Sequence, residues 1–173
     1  NLDLLYWFMG LPERVTAHID LGKYHPIEVE DEVHAFLAYP NGASGVFVAN
    51  TGEAPGTNRL EIVGEKGTLV LEQGTLTWFE NALETSVFSR TTPELFARPA
   101  CTVRQVPVAG AWERHAGVLK NFCAAIREGV PLLVPAAEAM GALELGNAML
   151  LSGLLERPVD LPLDGEIMER ELL

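Results

Sequence analysis

Two short stretches hold most of the side chains that could do chemistry. In GKYHP a cation, Lys23, a phenol, Tyr24, and an imidazole, His25, share one loop, a set that suits a polyhydroxylated or anionic small ligand. In TGEAPGTNRLEI, the residues Thr51, Glu53, Thr57, Asn58 and Arg59 stand in a connection shaped by glycine and proline. Donors and acceptors together on such a loop are what a sugar or polyol pocket needs, because each hydroxyl both gives and receives a hydrogen bond. Either stretch also reads as an ordinary polar loop. The acidic run EVEDEV sets Glu28, Glu30 and Glu32 on one parity of an extended chain. Successive members are about 6–7 Å apart, which fits a cation site or a solvated strand face.

The common catalytic signatures are missing. The paired glycines of GASG, GEKG and GALELG form neither GxGxxG nor GxxxxGKS/T, and the first two fall at turns between strands. There is no GxSxG, and neither Cys101 nor Cys123 has a base nearby in the sequence. The histidines, His18, His25, His34 and His115, are too dispersed for a metal-ligand spacing, and no metal site is assigned. His18 and His34 read as surface or satisfied core residues. The two cysteines allow one disulfide, but buried free thiols are the expectation for a chain without a secretion signal.

The hydropathy pattern says which elements position these residues. NLDLLYWFMGLP opens with an apolar run, Leu4 to Gly10, read as a buried helix that Asn1 can cap and that Gly10 and Pro12 end. From Glu13 to Asp20, Val15, Ala17 and Ile19 alternate with polar neighbours, the mark of a half-buried strand. In IEVEDEVHAFLAY the odd positions Ile27, Val29, Val33, Ala35 and Leu37 are apolar, while the even ones carry Glu28, Glu30, Glu32 and His34; Asp31 is the single break. PNG at Pro40 to Gly42 predicts a type I′ hairpin turn into ASGVFVANT. RLEIVGE, GTLVLEQ, TLTWFE and CTVRQVPV follow as strands, with turns at Glu65-Lys66-Gly67 and Gln73-Gly74 and an irregular excursion in TTPELFARP.

After Gly110 the period becomes 3.6. Trp112, Ala116, Leu119, Phe122, Cys123 and Ile126 make a helical stripe ending at Gly129. A second helix, from about Pro135 to Leu155, is expected to turn Met140, Leu143, Ala148, Leu151 and Leu154 inward, with Gly141 and Gly146 allowing close packing on the sheet. The tail predicts a short extended piece and then a helix. Short connections between strands exclude parallel crossovers. Residues 1–173 are therefore expected to form one α+β domain: a mostly antiparallel β-sheet with helices packed on one face. The other face, with Phe36 and Phe47 among charges, is expected to be open for oligomerisation.

At 173 residues, 48% hydrophobic and 21% charged, the chain suits one globular domain. No apolar run reaches the roughly 18 residues of a membrane span, and no basic n-region with a cleavage site is seen in these residues, so a cytoplasmic location without membrane attachment is expected. A net charge of −12 repels phosphate backbones and argues against a nucleic-acid partner.

Taken in order, NLDLLYWFMGLPERV, EVEDEVHAFLAYPNGASGVFV, TGEAPGTNRLEIVGEKGTLVLE, HAGVLKNFCAAIREGVPLLVPAAEAMGALELGNAMLLS and VDLPLD resemble the C-terminal domain of the Gfo/Idh/MocA oxidoreductases. That is the family of glucose-fructose oxidoreductase and inositol dehydrogenase. The resemblance implies an NAD(P)-dependent dehydrogenase that moves a hydride between the CH–OH carbon of a sugar or polyol and NAD or NADP. It also implies an N-terminal Rossmann domain, outside these 173 residues, that holds the cofactor; no cofactor-binding residue is assigned here. The family's HxxD segment places its Asp at Asp3 and its principal His just before Asn1. Asp3 is then a supporting catalytic acid, or a plain helix-start carboxylate. Substrate contact is implied for Asn58 and Arg59 in the loop before RLEIVGE, with Lys23 and His25 as further candidates; His115 is either a substrate contact or a helix-end packing residue. A homodimer or homotetramer through the open sheet face is the expected assembly, and the isolated chain is expected to be inactive. The rival reading is a non-catalytic binding or dimerisation module of the same fold.

Overall fold

A computed structural model describes residues 1–107 and 113–172. In chain order its elements are α1 (Leu2–Met9), β1 (Arg14–Leu21), β2 (Glu30–Ala38), β3 (Ser44–Asn50), β4 (Arg59–Gly64), β5 (Gly67–Glu72), β6 (Thr75–Asn81), α2 (Thr85–Thr91), β7 (Cys101–Val106), α3 (Arg114–Glu128), α4 (Ala136–Leu155), β8 (Val159–Asp160) and α5 (Gly165–Leu172). The fold is α+β, and every strand pairing is antiparallel. The strands divide between two four-stranded sheets rather than forming one, in the orders β3-β2-β1-β8 and β4-β5-β6-β7. Correspondingly the chain forms two compact units, residues 1–54 with 113–173, and residues 55–112. The link from β3 to β4 contains Gly52, Pro55 and Gly56, residues that end strands instead of joining them in a tight hairpin. Among the described residues no helix is long and apolar enough to cross a membrane.

In the first unit, Val15, Ala35 and Leu37 lie on the sheet face that packs against Leu145, Ala148, Met149 and Leu151 of α4. Val15, Leu37 and Leu145 are wholly withdrawn from water. Ser152 on α4 closes the sheet edge. Past the end of the short β8, its hydroxyl accepts the Ala17 N–H (2.9 Å) and donates to the Arg157 carbonyl (2.7 Å), so a buried strand donor does not go unpaired.

Several expectations change here. α1 is not a buried helix: Leu2, Leu5 and Met9 reach the core, whereas Trp7 and Phe8 are 73% and 52% exposed. A run apolar on all sides does not say which side will be covered. For the same reason α4 buries Leu145, Ala148, Met149 and Leu151 but leaves Met140, Leu143 and Leu154 exposed. Gly141 and Gly146 face α1, not the sheet. A Cβ on Gly141 would fall 2.2 Å from the Tyr6 ring, and one on Gly146 would touch Leu2; the glycine that meets the sheet is Gly153, against Ile19. α3 shows its apolar stripe, with Leu119, Phe122 and Ile126 exposed; Trp112 lies outside the described residues. Phe36 is on the open sheet face as expected, but Phe47, across from Ala35, packs toward the core. Both cysteines are free, and both are exposed rather than buried.

In the second unit, adjacent strands are joined by two-residue turns at Glu65-Lys66 and Gln73-Gly74. Gln73 and Gly74 have φ of 49° and 75°, so the type I′ turn sits here. At Pro40 to Gly42 only the glycine is left-handed, and Tyr39 N–H pairs with the Ala43 carbonyl across a three-residue loop. Pro40 has no N–H to close a two-residue Asn-Gly hairpin, so the closing bond falls to Tyr39 and the loop is one residue longer. The short helix α2, absent from the sequence reading, starts where Glu65 supplies both its carbonyl to Thr85 N–H and its carboxylate to Ser86 N–H.

Candidate functional site

The GKYHP loop of the first unit is wrapped around one carboxylate. Asp20 pairs with Glu32 and Leu21 with Glu30, so Asp31 is an extra residue, a β-bulge, and this is the parity break seen in the sequence. Its side chain is fully buried and accepts the backbone N–H groups of Lys23 (3.0 Å), Tyr24 (2.7 Å) and His25 (3.0 Å). Burial pushes the Asp31 carboxyl up, but those three N–H groups, with the His25 ring, outweigh it and hold the group below the usual carboxylate range.

Lys23 is equally committed. Its ammonium pairs with Glu32 and, at 3.0 Å, with Asp20, and lies 5.4 Å from the Tyr24 ring centroid. The two carboxylates, Glu32 foremost, raise the Lys23 pKa. Lys23 first, then His34, lower that of Glu32 to about 2. Glu32 is therefore not part of a solvated strand face: its side chain is 8% exposed and also accepts from the Tyr24 hydroxyl (3.2 Å). His25 Nδ1 lies 3.0 Å from Thr51 Oγ1, tying the loop to the end of β3. The structure thus brings Lys23 and His25 together through Asp31, a residue the sequence flagged only as an irregularity.

Arg59 opens β4 in the second unit, with Asn58 directly before it. The guanidinium is held by Glu61 (2.6 Å) and Glu72 (3.0 Å), Glu61 foremost in raising its pKa. Arg59 and Glu61 border a depression of about 430 Å³. Register explains its floor: Glu61 pairs with Val70, Thr68 with Phe79 and Asn81 with Cys101, so these side chains share one sheet face. Thr85 of α2 and the Arg98-Pro99 segment before β7 complete the lining. Phe79 and Asn81 escaped the sequence reading because only strand register places them on the Arg59 face, and Arg98 because it belongs to the irregular segment before β7.

Asp3 and His115 are exposed in the first turns of α1 and α3. Neither hydrogen-bonds with Lys23 or His25. Among the described residues no group of histidine, cysteine and carboxylate side chains is arranged to hold a metal ion. A dinucleotide would need a glycine-rich turn leading from a strand into a helix. The paired glycines lie elsewhere: Gly42 and Gly45 at the β2–β3 hairpin, Gly64 and Gly67 at the β4–β5 hairpin, and Gly141 and Gly146 inside α4. These glycines do not fit a nicotinamide dinucleotide.

Residues 1–70 match the family model described as GFO/IDH/MocA C-terminal domain, so the resemblance read in the sequence holds over that stretch. No curated protein sequence matches. Among solved structures, levoglucosan dehydrogenase, in complex with NADH and levoglucosan, is similar at 19% identity and a TM-score of 0.66, covering 94% of this chain and 48% of that one. A proposed NADPH-dependent oxidoreductase of Desulfitobacterium hafniense matches at 18% identity and a TM-score of 0.70, over 96% and 46%. The WlbA dehydrogenase of Bordetella pertussis, in complex with NADH and UDP-GlcNAcA, matches at 20% identity and a TM-score of 0.59, over 94% and 43%. The fold is thus one found in oxidoreductases of the Gfo/Idh/MocA type, and this chain spans about half the length of the structures it matches.

Proposed function

We propose that this chain is the C-terminal, substrate-side domain of an NAD(P)-dependent oxidoreductase acting on the CH–OH group of a sugar, polyol or related small molecule in the cytoplasm. One observation carries the reading: 94% of the chain superposes on 48% of a dehydrogenase bound to NADH and a sugar-derived ligand. The family match over residues 1–70, which includes Asp3 and both polar loops, supports it. The nicotinamide would accept the hydride, and an N-terminal Rossmann domain would hold it. In this reading Asp3 supports the acid–base group from the start of α1. Asn58 and Arg59 contact substrate, with Lys23, His25 and His115 as further contacts; Lys23 and Arg59, already paired with carboxylates, can offer their remaining N–H groups to hydroxyls. The open face of the first sheet, where Phe36, Val46 and Val48 are 51%, 72% and 52% exposed, would join a second copy into a dimer or tetramer.

The test is reduction of NAD⁺ or NADP⁺ by a panel of sugars and polyols, using the full product of the natural gene and, separately, residues 1–173. Turnover is expected from the first and not from the second. Turnover by the 173-residue chain would overturn the division of labour. Polyol binding by the full protein with no nicotinamide reduction would replace the enzyme with a binding module. A monomer in sedimentation would remove the assembly.

A further inference from the structure

The depression on the second sheet has a composition that selects a ligand. Its cations are Arg59, neutralised by Glu61 and Glu72, and Arg98, which is exposed and makes no hydrogen bond or ion pair among the described residues. In a chain with 24 acidic and 12 basic residues, an arginine left without a carboxylate at a cavity is available to an external one. The rest of the lining supplies hydroxyl partners. Thr68 is on the floor, and the Asn81 amide spends Nδ2 on Thr85 Oγ1 (3.2 Å) while leaving its oxygen to accept. Val70 and Phe79 give an apolar floor for C–H surface. Glu61 in the same lining opposes a second negative charge.

We propose that this depression binds a small hydroxylated monocarboxylate, with Arg98 pairing to its acid group and Thr68 and Asn81 to its hydroxyls. An uncharged polyol offers Arg98 no charge-assisted partner, and a phosphate brings excess charge against Glu61. Taken as substrate recognition, the proposal rests on the oxidoreductase reading; taken as ligand binding, it rests on the cavity alone.

The experiment is calorimetric titration of the full gene product, carrying Cys123→Ser, with D-gluconate and with D-glucitol, which match in carbon chain and differ in charge. Gluconate is expected to bind about two- to fivefold more tightly, the scale of one solvent-exposed ion pair. Arg98→Ala should abolish that preference, and Arg98→Lys should keep part of it. Gluconate should also slow alkylation of Cys101, which shares the lining. Equal affinity for the two probes, no saturable gluconate binding up to about 10 mM, an unaltered preference in Arg98→Ala, or unprotected Cys101 would each overturn the site. Redox turnover without gluconate binding sinks this proposal alone; gluconate binding without turnover sinks only the oxidoreductase reading.

Discussion

The sheet formed by β1, β2, β3 and β8 is backed by α4, and Val15, Leu37 and Leu145 meet no water. The sheet of β4 to β7 has a comparable number of apolar side chains, yet among its described residues Val70 is the one buried hydrophobic. Its Leu69 and Val103 stay 39% and 61% exposed. Both are four-stranded antiparallel ladders. The difference is the helix, and it shows that hydrogen-bonded ladders alone do not make a core; removal of apolar surface by a second layer does.

Substitutions sharpen that contrast. Leu145→Ala removes a side chain wholly inside the first unit and should cost about 2–5 kcal/mol in chemical denaturation, with faster amide exchange in β1 and β2. A loss under about 1 kcal/mol would mean that α4 does not seal the sheet. Val70→Ala should cost less, about 1–2 kcal/mol, with faster exchange in β5 and β6; a loss equal to that of Leu145→Ala would erase the comparison. Gln73→Asn relieves a left-handed residue in the I′ turn and should stabilise by about 0.5–1 kcal/mol, read as a higher Tm. The last effect is one of pH and is read on the acid side, since Asp31 and Glu32, both lowered, stay ionised at neutral pH. Glu32, lowered to about 2 from its ordinary 4.5, contributes stability that is present above 4.5 and lost as the pH falls toward 2. Asp31 acts in the same direction. The acid limb of a pH–stability curve should be shallower in Glu32→Gln, and an equally steep limb would refute the assignment.

How far the sequence could be read depended on the kind of signal. Alternation placed Val15, Ala17, Val33, Ala35 and Leu37 on one face because a strand has only two faces. The same rule marked Asp31 as a break without showing that three backbone donors converge on it. It failed for α1 and α4, where apolar residues surround the helix and only the partner decides the buried side. The Asn-Gly pair predicted a I′ turn, but Pro40 lacks the N–H that would close it and a three-residue loop forms, whereas Gln73-Gly74 made one with a residue of weaker preference. The lining of the depression was out of reach, since Arg59 and Phe79 are brought to one face by register and Arg98 comes from the irregular segment before β7. The family resemblance covered the fold, while the roles of Asp3, Asn58, Arg59, Lys23, His25 and His115 belong to the proposed function.

Gly141 sets a mechanical tolerance for the start of the chain. The Tyr6 ring lies so close over it that any side chain at position 141 must displace the ring. Tyr6 and Asp3 are one turn apart on α1, so a shoulder at 141 has two outlets: the ring swings aside, or the helix turns and carries the Asp3 carboxylate with it. A missing methyl on one helix thus spares the other that choice, and a crystal structure of Gly141→Ala would show which is taken.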